Sequence, residues 1–135
     1  MICVLAGGVG AARLLVGLVC VVPRDEIVAV VNTADDVVLH GLHISPDLDT
    51  VTYTLAGTHN TNTGWGLAGE TWKAMGALKS LGGPTWFSLG DRDLGTHMYR
   101  TGRLAEGAGL AEVTAEIASS FGLGVRLLPM TEDRV

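Results

Sequence analysis

The chain has 135 residues, 47% of them hydrophobic and 17% charged, with a net charge of −5 and a mean hydropathy of +0.36. That length suits one ordinary domain, and that apolar content excludes a disordered chain. The negative balance argues against a broad nucleic-acid surface, and no apolar run reaches the roughly 18 residues of a membrane span.

The opening, MICVLAGGVG, carries no basic stretch ahead of an apolar one, so it reads as a cytoplasmic protein rather than a secreted one. Ile2–Ala6 reads as a buried parallel strand. Cys3 and Cys20 sit in apolar segments and form no zinc or disulfide pattern, which predicts two buried free thiols. Gly7, Gly8 and Gly10 follow the strand, and Ala11–Val22 reads as a helix that ends before Pro23 and a turn at Arg24–Asp25. Glycines between a strand and a helix let the backbone approach a ligand, and the N–H groups of a helix start favour an anion. The dinucleotide fingerprint fails, because Arg13 replaces its last glycine and the second strand, Ile27–Val31, ends in neutral Asn32 and Thr33. The loop therefore predicts a phosphate cradle rather than a standard NAD site; a tight turn with no ligand is the plain alternative.

Asp35 and Asp36 follow the second strand, and Asp47 and Asp49 begin a helix over Pro46–Ala56, with Ser45 at the N-cap and Pro46 at the first helical position. Aspartates favour turns and helix starts on their own account. As a set beside a phosphate loop they suit Mg²⁺, which takes oxygen ligands and bridges to phosphates. His40 and His43, three apart, could share a helix face, but without further His or Cys they read as hydrogen-bonding loop residues rather than zinc ligands.

Trp65 and Trp72 flank a glycine-rich turn, and tryptophan packs more often than it stacks on a ligand. A helix over Gly69–Leu81 is stopped by Gly82-Gly83-Pro84, and Thr85–Leu89 reads as a third strand. Gly90-Asp91-Arg92-Asp93 follows, and Arg92, Arg100 and Arg103 either pair locally with aspartates or bind an anionic ligand. Leu94–Ala105 and Leu110–Phe121 are helical in pattern, and Val125–Leu128 reads as the last strand. The alternation predicts an α/β fold: a Rossmann-like, doubly wound parallel sheet covered on both faces. The chain ends soon after Leu128, just past a core strand, so the sheet reads as incomplete and the chain as the N-terminal part of a longer protein.

Taken together, LAGGVGAARLL, VVNTADD, HGLHISPDLDTVTYTLAG, GWGLAGETW, LGDRDLGTHMYRT and LLPMTEDRV resemble the N-terminal half of a 2-phospho-L-lactate transferase, across essentially the whole chain. The resemblance implies an Mg²⁺-dependent transferase of coenzyme F-420 biosynthesis. Such an enzyme moves a phospholactyl or phosphoenolpyruvyl group from a guanosine diphosphate-linked donor to the ribityl hydroxyl of the deazaflavin Fo, releasing GMP. On this reading Asp47 and Asp49 hold the metal, with Asp49 first, and Asp49 or Asp36 orients or deprotonates the acceptor hydroxyl. Gly8, Val9 and Gly10 line the donor phosphates, and Asp91, Asp93 and Thr96 face the acceptor. A homodimer is a natural assembly. Competing readings are a nucleotide-sugar-binding regulator of a related branch, an inactive truncated domain and an NAD oxidoreductase.

Overall fold

A computed structural model describes residues 1–135. In chain order the elements are β1 (Ile2–Ala6), α1 (Val9–Leu18), β2 (Ile27–Val31), β3 (Val37–Leu39), β4 (Leu42–Ile44), α2 (Pro46–Leu55), α3 (Lys73–Ser80), α4 (Asp91–Ala105), α5 (Leu110–Ser120) and β5 (Arg126–Pro129). β1 pairs with β2 in parallel from Ile2 opposite Ile27 to Ala6 opposite Val31, and β5 pairs with the far side of β2. The sheet order is β1-β2-β5. This is a small parallel α/β sheet flanked by helices, an incomplete Rossmann-like fold as the sequence predicts.

Within these three strands the helices cover one face. Both crossovers step the same way across the sheet, and right-handed crossovers that step the same way put their helices on the same face. The covered face carries Ala6, Ile27, Ala29, Val31 and Leu127, packed with Leu15 of α1, Leu48 and Val51 of α2, and Ala118 of α5. Each large apolar side chain buried there contributes about 1.5–3 kcal/mol. The other face carries Cys3 and Leu5, and Leu5 is 83% exposed. Both cysteines are exposed rather than buried: Cys3 lies on the open face, and Cys20 lies past the end of α1.

Three further expectations are corrected. Thr85–Leu89 forms no strand: Trp86 and Phe87 pack edge-to-face on each other with ring centroids 5.7 Å apart, and no neighbouring strand pairs with them. α3 starts at Lys73 rather than Gly69, because Gly69 takes the left-handed φ of 65° and breaks the helical path. The segment around His40 and His43 is a hairpin, not a helix face. β3 and β4 pair antiparallel, and His40 (φ 54°) and Gly41 (φ 74°) form the two-residue turn. Two positive φ values match the right-handed twist of the flanking strands.

Candidate functional site

Gly8 is the N-cap of α1, and its carbonyl accepts the first helical bond from Ala12 N at 2.9 Å. A Cβ on Gly8 would lie 2.8 Å from Asp47 Oδ1, so a larger residue there would push the Asp47 carboxylate aside. At Gly7 and Gly10 a Cβ would meet nothing within 4 Å, so no packing within the chain requires glycine at either. α1 has no acidic residue in its first turn and no side-chain cap, which leaves its first N–H groups open to an anion.

Asp47 stands over this loop from the first turn of α2. Asn32 Nδ2 donates to Asp47 Oδ2 at 2.8 Å and to Asp35 Oδ2 at 3.4 Å, so one amide draws the two carboxylates together. Burial raises the Asp47 carboxyl above its ordinary range; the Asn32 bond opposes this, and the charges of Asp35 and Asp36 add to it. Ser45 holds the N-cap position of α2, but its hydroxyl donates to Asp36 Oδ2 at 2.7 Å instead of capping the helix. His43 Nε2 lies 3.2 Å from the same oxygen, and Asp36 Oδ1 is buried without a partner.

Asp49 belongs to a different network. It is 6% exposed and is gripped by both terminal nitrogens of Arg100, which is 2% exposed. Arg100 Nη1 also donates to the His43 carbonyl at 3.2 Å. His97, on the same helix, places Nδ1 3.6 Å from Asp49 Oδ2 and Nε2 3.0 Å from Asp93 Oδ2. Tyr53 donates to Asp93 Oδ1 at 2.5 Å and lies 2.8 Å from Thr96 Oγ1. Burial pushes the Asp49 carboxyl up, against the pull of Arg100 and His97. Burial also pushes on Asp93, but the His97 bond and charge, the Tyr53 hydroxyl and Arg100 outweigh it and hold Asp93 below its ordinary value. Burial, together with the charges of Asp49 and Asp93, keeps Tyr53 a neutral phenol. One ligand atom each from Asp49, Asp93 and His97 lie within 4.8 Å of one another, a spacing that could hold a metal. Arg100 already neutralises Asp49 at that point.

Asp91 turns away from this network. It accepts from Thr71 Oγ1 at 2.6 Å and from Lys73 N and Ala74 N at 3.0 Å, capping α3. Those bonds, the Thr71 hydroxyl first, hold its carboxyl below the ordinary value. Among the arginines, Arg103 pairs with Glu106 and Glu116, and Arg92 donates to the Ala68 carbonyl at 3.2 Å.

A pocket of about 490 Å³ opens between these groups, within the size range of small-molecule sites. Trp65, Trp86 and Phe87 line it together with Asp47, Asp49 and Asp93, and Val9 of the glycine loop also reaches it. Of the predicted site residues, the structure therefore gathers Val9, Asp47, Asp49 and Asp93 around one cavity. Gly8 and Gly10 form the adjoining loop, Asp36 is held by Ser45 and His43, and Thr96 supports Tyr53; none of these lines the cavity. Sequence reasoning missed Tyr53, Trp86, Phe87 and His97. The four-residue spacing of Asp93 and His97 on a helix was the one signal available for that pair. No helix is long and apolar enough to cross a membrane.

The family model described as "2-phospho-L-lactate transferase CofD" matches residues 2–135. A phosphoenolpyruvate transferase of Kitasatospora aureofaciens is 51% identical over 97% of this chain and 41% of its own length. One from Streptomyces coelicolor is 50% identical over 99% of this chain and 42% of its length. One from Mycobacterium tuberculosis is 44% identical over 97% and 44%. The chain thus spans about two fifths of the length of the curated relatives it matches.

Proposed function

The chain belongs to the 2-phospho-L-lactate transferase family, and from that premise we propose that it carries the acceptor pocket and the phosphate cradle of an enzyme of coenzyme F-420 biosynthesis. The acceptor is the deazaflavin Fo, and the donor is a guanosine diphosphate-linked ester. The names of the relatives favour the phosphoenolpyruvyl form of the donor over the lactyl form. In this reaction the ribityl hydroxyl oxygen attacks the phosphorus that bears the enolpyruvyl group. A P–O bond forms, the bond to the leaving phosphate breaks, and GMP departs with the electron pair.

The observation that carries this reading is the pocket itself. The aromatic side chains of Trp65, Trp86 and Phe87 in its lining suit a flat ring system, and the carboxylates of Asp47, Asp49 and Asp93 share that lining near an open helix start. The free space at Gly7 and Gly10 suits the approach of a phosphate. The acceptor hydroxyl enters beside Asp93, which lines the cavity, and its proton passes to that carboxylate, because Arg100 occupies both oxygens of Asp49.

Asp47 and Asp35 offer only oxygen donors and sit beside the glycine loop, which fits Mg²⁺. When bound, the ion offsets the negative charge that builds on the diphosphate oxygens. Asp49 is the other proposed ligand, and to hold the ion it would have to release one oxygen from Arg100. The test is a fluorescence titration of Fo into the chain, with and without Mg²⁺ and GDP, repeated with Asp47→Ala and Asp49→Ala. Saturable binding that Mg²⁺ and GDP strengthen, and that Asp47→Ala uncouples from Mg²⁺, supports the reading. A folded chain that binds neither Fo nor GDP rejects it.

A further inference from the structure

Two carboxylates cap helices that are not their own. Glu70, at the end of the loop after α2, accepts from Arg92 N at 2.9 Å and Asp93 N at 3.1 Å, the first turn of α4. Asp91, at the start of α4, caps α3, the helix that follows Glu70. Asp91 N also donates to the Thr71 carbonyl at 2.9 Å. A Cβ at Gly90 would collide with the Glu70 carboxylate, so the two segments are in direct contact. Each helix start thus receives its acceptor from the other segment, and neither cap forms unless the segments are docked.

The loop that Glu70 terminates forms one side of the pocket. Its near end is fixed on α2, where Thr58 N donates to the Tyr53 carbonyl at 3.0 Å. Inside, Gly64 N donates to the Asn60 carbonyl at 2.9 Å, and Ala68 N to the Thr58 carbonyl at 2.8 Å. Between those bonds lie Trp65 and Gly66, which line the cavity. The far end is held by Glu70 and by Arg92 on the Ala68 carbonyl. Asp93, whose N–H Glu70 receives, lines the same cavity as Trp65 and Gly66.

We propose that the reciprocal caps of Glu70 and Asp91 fix the spacing between the Trp65 wall and the Asp93 side of the pocket, which makes Glu70 a positioning residue for the flat acceptor. This rests on the transferase reading for the identity of the acceptor. It does not rest on that reading for the mechanical coupling.

Three variants test it: Glu70→Ala, Glu70→Gln, and Glu132→Ala. Glu132 caps α5 by the same chemistry, from Leu110 N and Ala111 N, and lies outside this pocket. Two quantities are read, amide hydrogen exchange at Gly64, Ala68, Arg92 and Asp93, and the Kd for Fo. In Glu70→Ala, exchange rises about tenfold at all four amides and Fo binding weakens about tenfold. Glu70→Gln keeps one acceptor oxygen where the native carboxylate uses two, so it loses one of the two cap bonds and falls between the native chain and Glu70→Ala in both readouts. Glu132→Ala lowers the melting temperature and leaves the four amides and the Fo Kd unchanged. Faster exchange at Arg92 and Asp93 without change at Gly64 and Ala68 overturns the proposal, because the cap is then local. Equal loss of Fo binding in Glu70→Ala and Glu132→Ala also overturns it. A native chain that does not bind Fo rejects the transferase reading alone, and the exchange data still decide the coupling.

Discussion

Replacing Arg100 by methionine removes a buried cation and keeps the aliphatic length that packs α4. The native guanidinium is 2% exposed and satisfies both oxygens of Asp49 and the His43 carbonyl. In Arg100→Met the carboxylate of Asp49 stays buried with no cation against it. Breaking a buried pair in this way costs about 3–5 kcal/mol at neutral pH. For a domain of this size that lowers Tm by on the order of 10–20 °C. The cost depends on pH. Without Arg100, burial holds the Asp49 carboxyl above its ordinary 3.8, so the folded state binds a proton that the unfolded state does not. Stability of the variant therefore recovers as pH falls through that raised value, and the deficit is largest above it. The assay is urea unfolding followed by tryptophan fluorescence at several pH values. The companion variant Arg100→Met with Asp49→Leu replaces the pair by apolar side chains and should regain most of the loss. A single variant that costs less than about 1 kcal/mol, or a double variant no more stable than the single one, refutes the view that this pair neutralises itself in the core.

Asp47→Asn removes a carboxylate whose charge burial and its neighbours disfavour, so the metal-free chain should melt slightly higher while Mg²⁺ ceases to stabilise it in the presence of GDP; differential scanning fluorimetry reads both. Asp91 is held below its ordinary 3.8 by the bonds it accepts. Its contribution is fully present above that value and is lost as pH falls through the lower folded one, so Asp91→Asn should flatten the acid limb of the stability curve below pH 3.8. Trp86→Ala should weaken Fo binding by about 2- to 12-fold, the worth of one aromatic contact of about 0.5–1.5 kcal/mol, with no change in GDP affinity. Both cysteines should react with a thiol reagent in the native chain without a lag, since neither is buried.

The parts of the fold that local physics decides were legible in the sequence. Ile2–Ala6 and Ile27–Val31 declare themselves by short apolar runs bounded by turn residues, and Pro46 marks the start of α2. The glycine loop and the Asp35 and Asp47 pair that Asn32 joins could be grouped because their residues lie close in the chain. What was not legible depends on partners far away. Asp49 looks like a free ligand until Arg100 closes on it from 51 residues later. Asp91 looks like a ligand-facing loop residue until α3 uses both of its oxygens. Thr85–Leu89 has the composition of a strand, but a strand needs an open edge beside it, and local pattern does not report edges. The hairpin was hidden because His40, not glycine or asparagine, takes its first left-handed position.

The strand order also dictates a sequence of events. β1, α1 and β2 lie consecutively in the chain, so their pairing closes a short loop at small entropic cost. β5 joins the same sheet only after the whole intervening chain has been gathered. The Arg24 guanidinium, which donates to the Leu123 carbonyl at 2.7 Å, spans 99 residues to do so. Long closures are slow to form. The N-terminal β1-α1-β2 unit, with its glycine loop, should therefore be organised in the folding transition state, and β5 should dock late. Substitutions at Ala29 or Leu15 then slow refolding, whereas Leu127→Ala chiefly speeds unfolding.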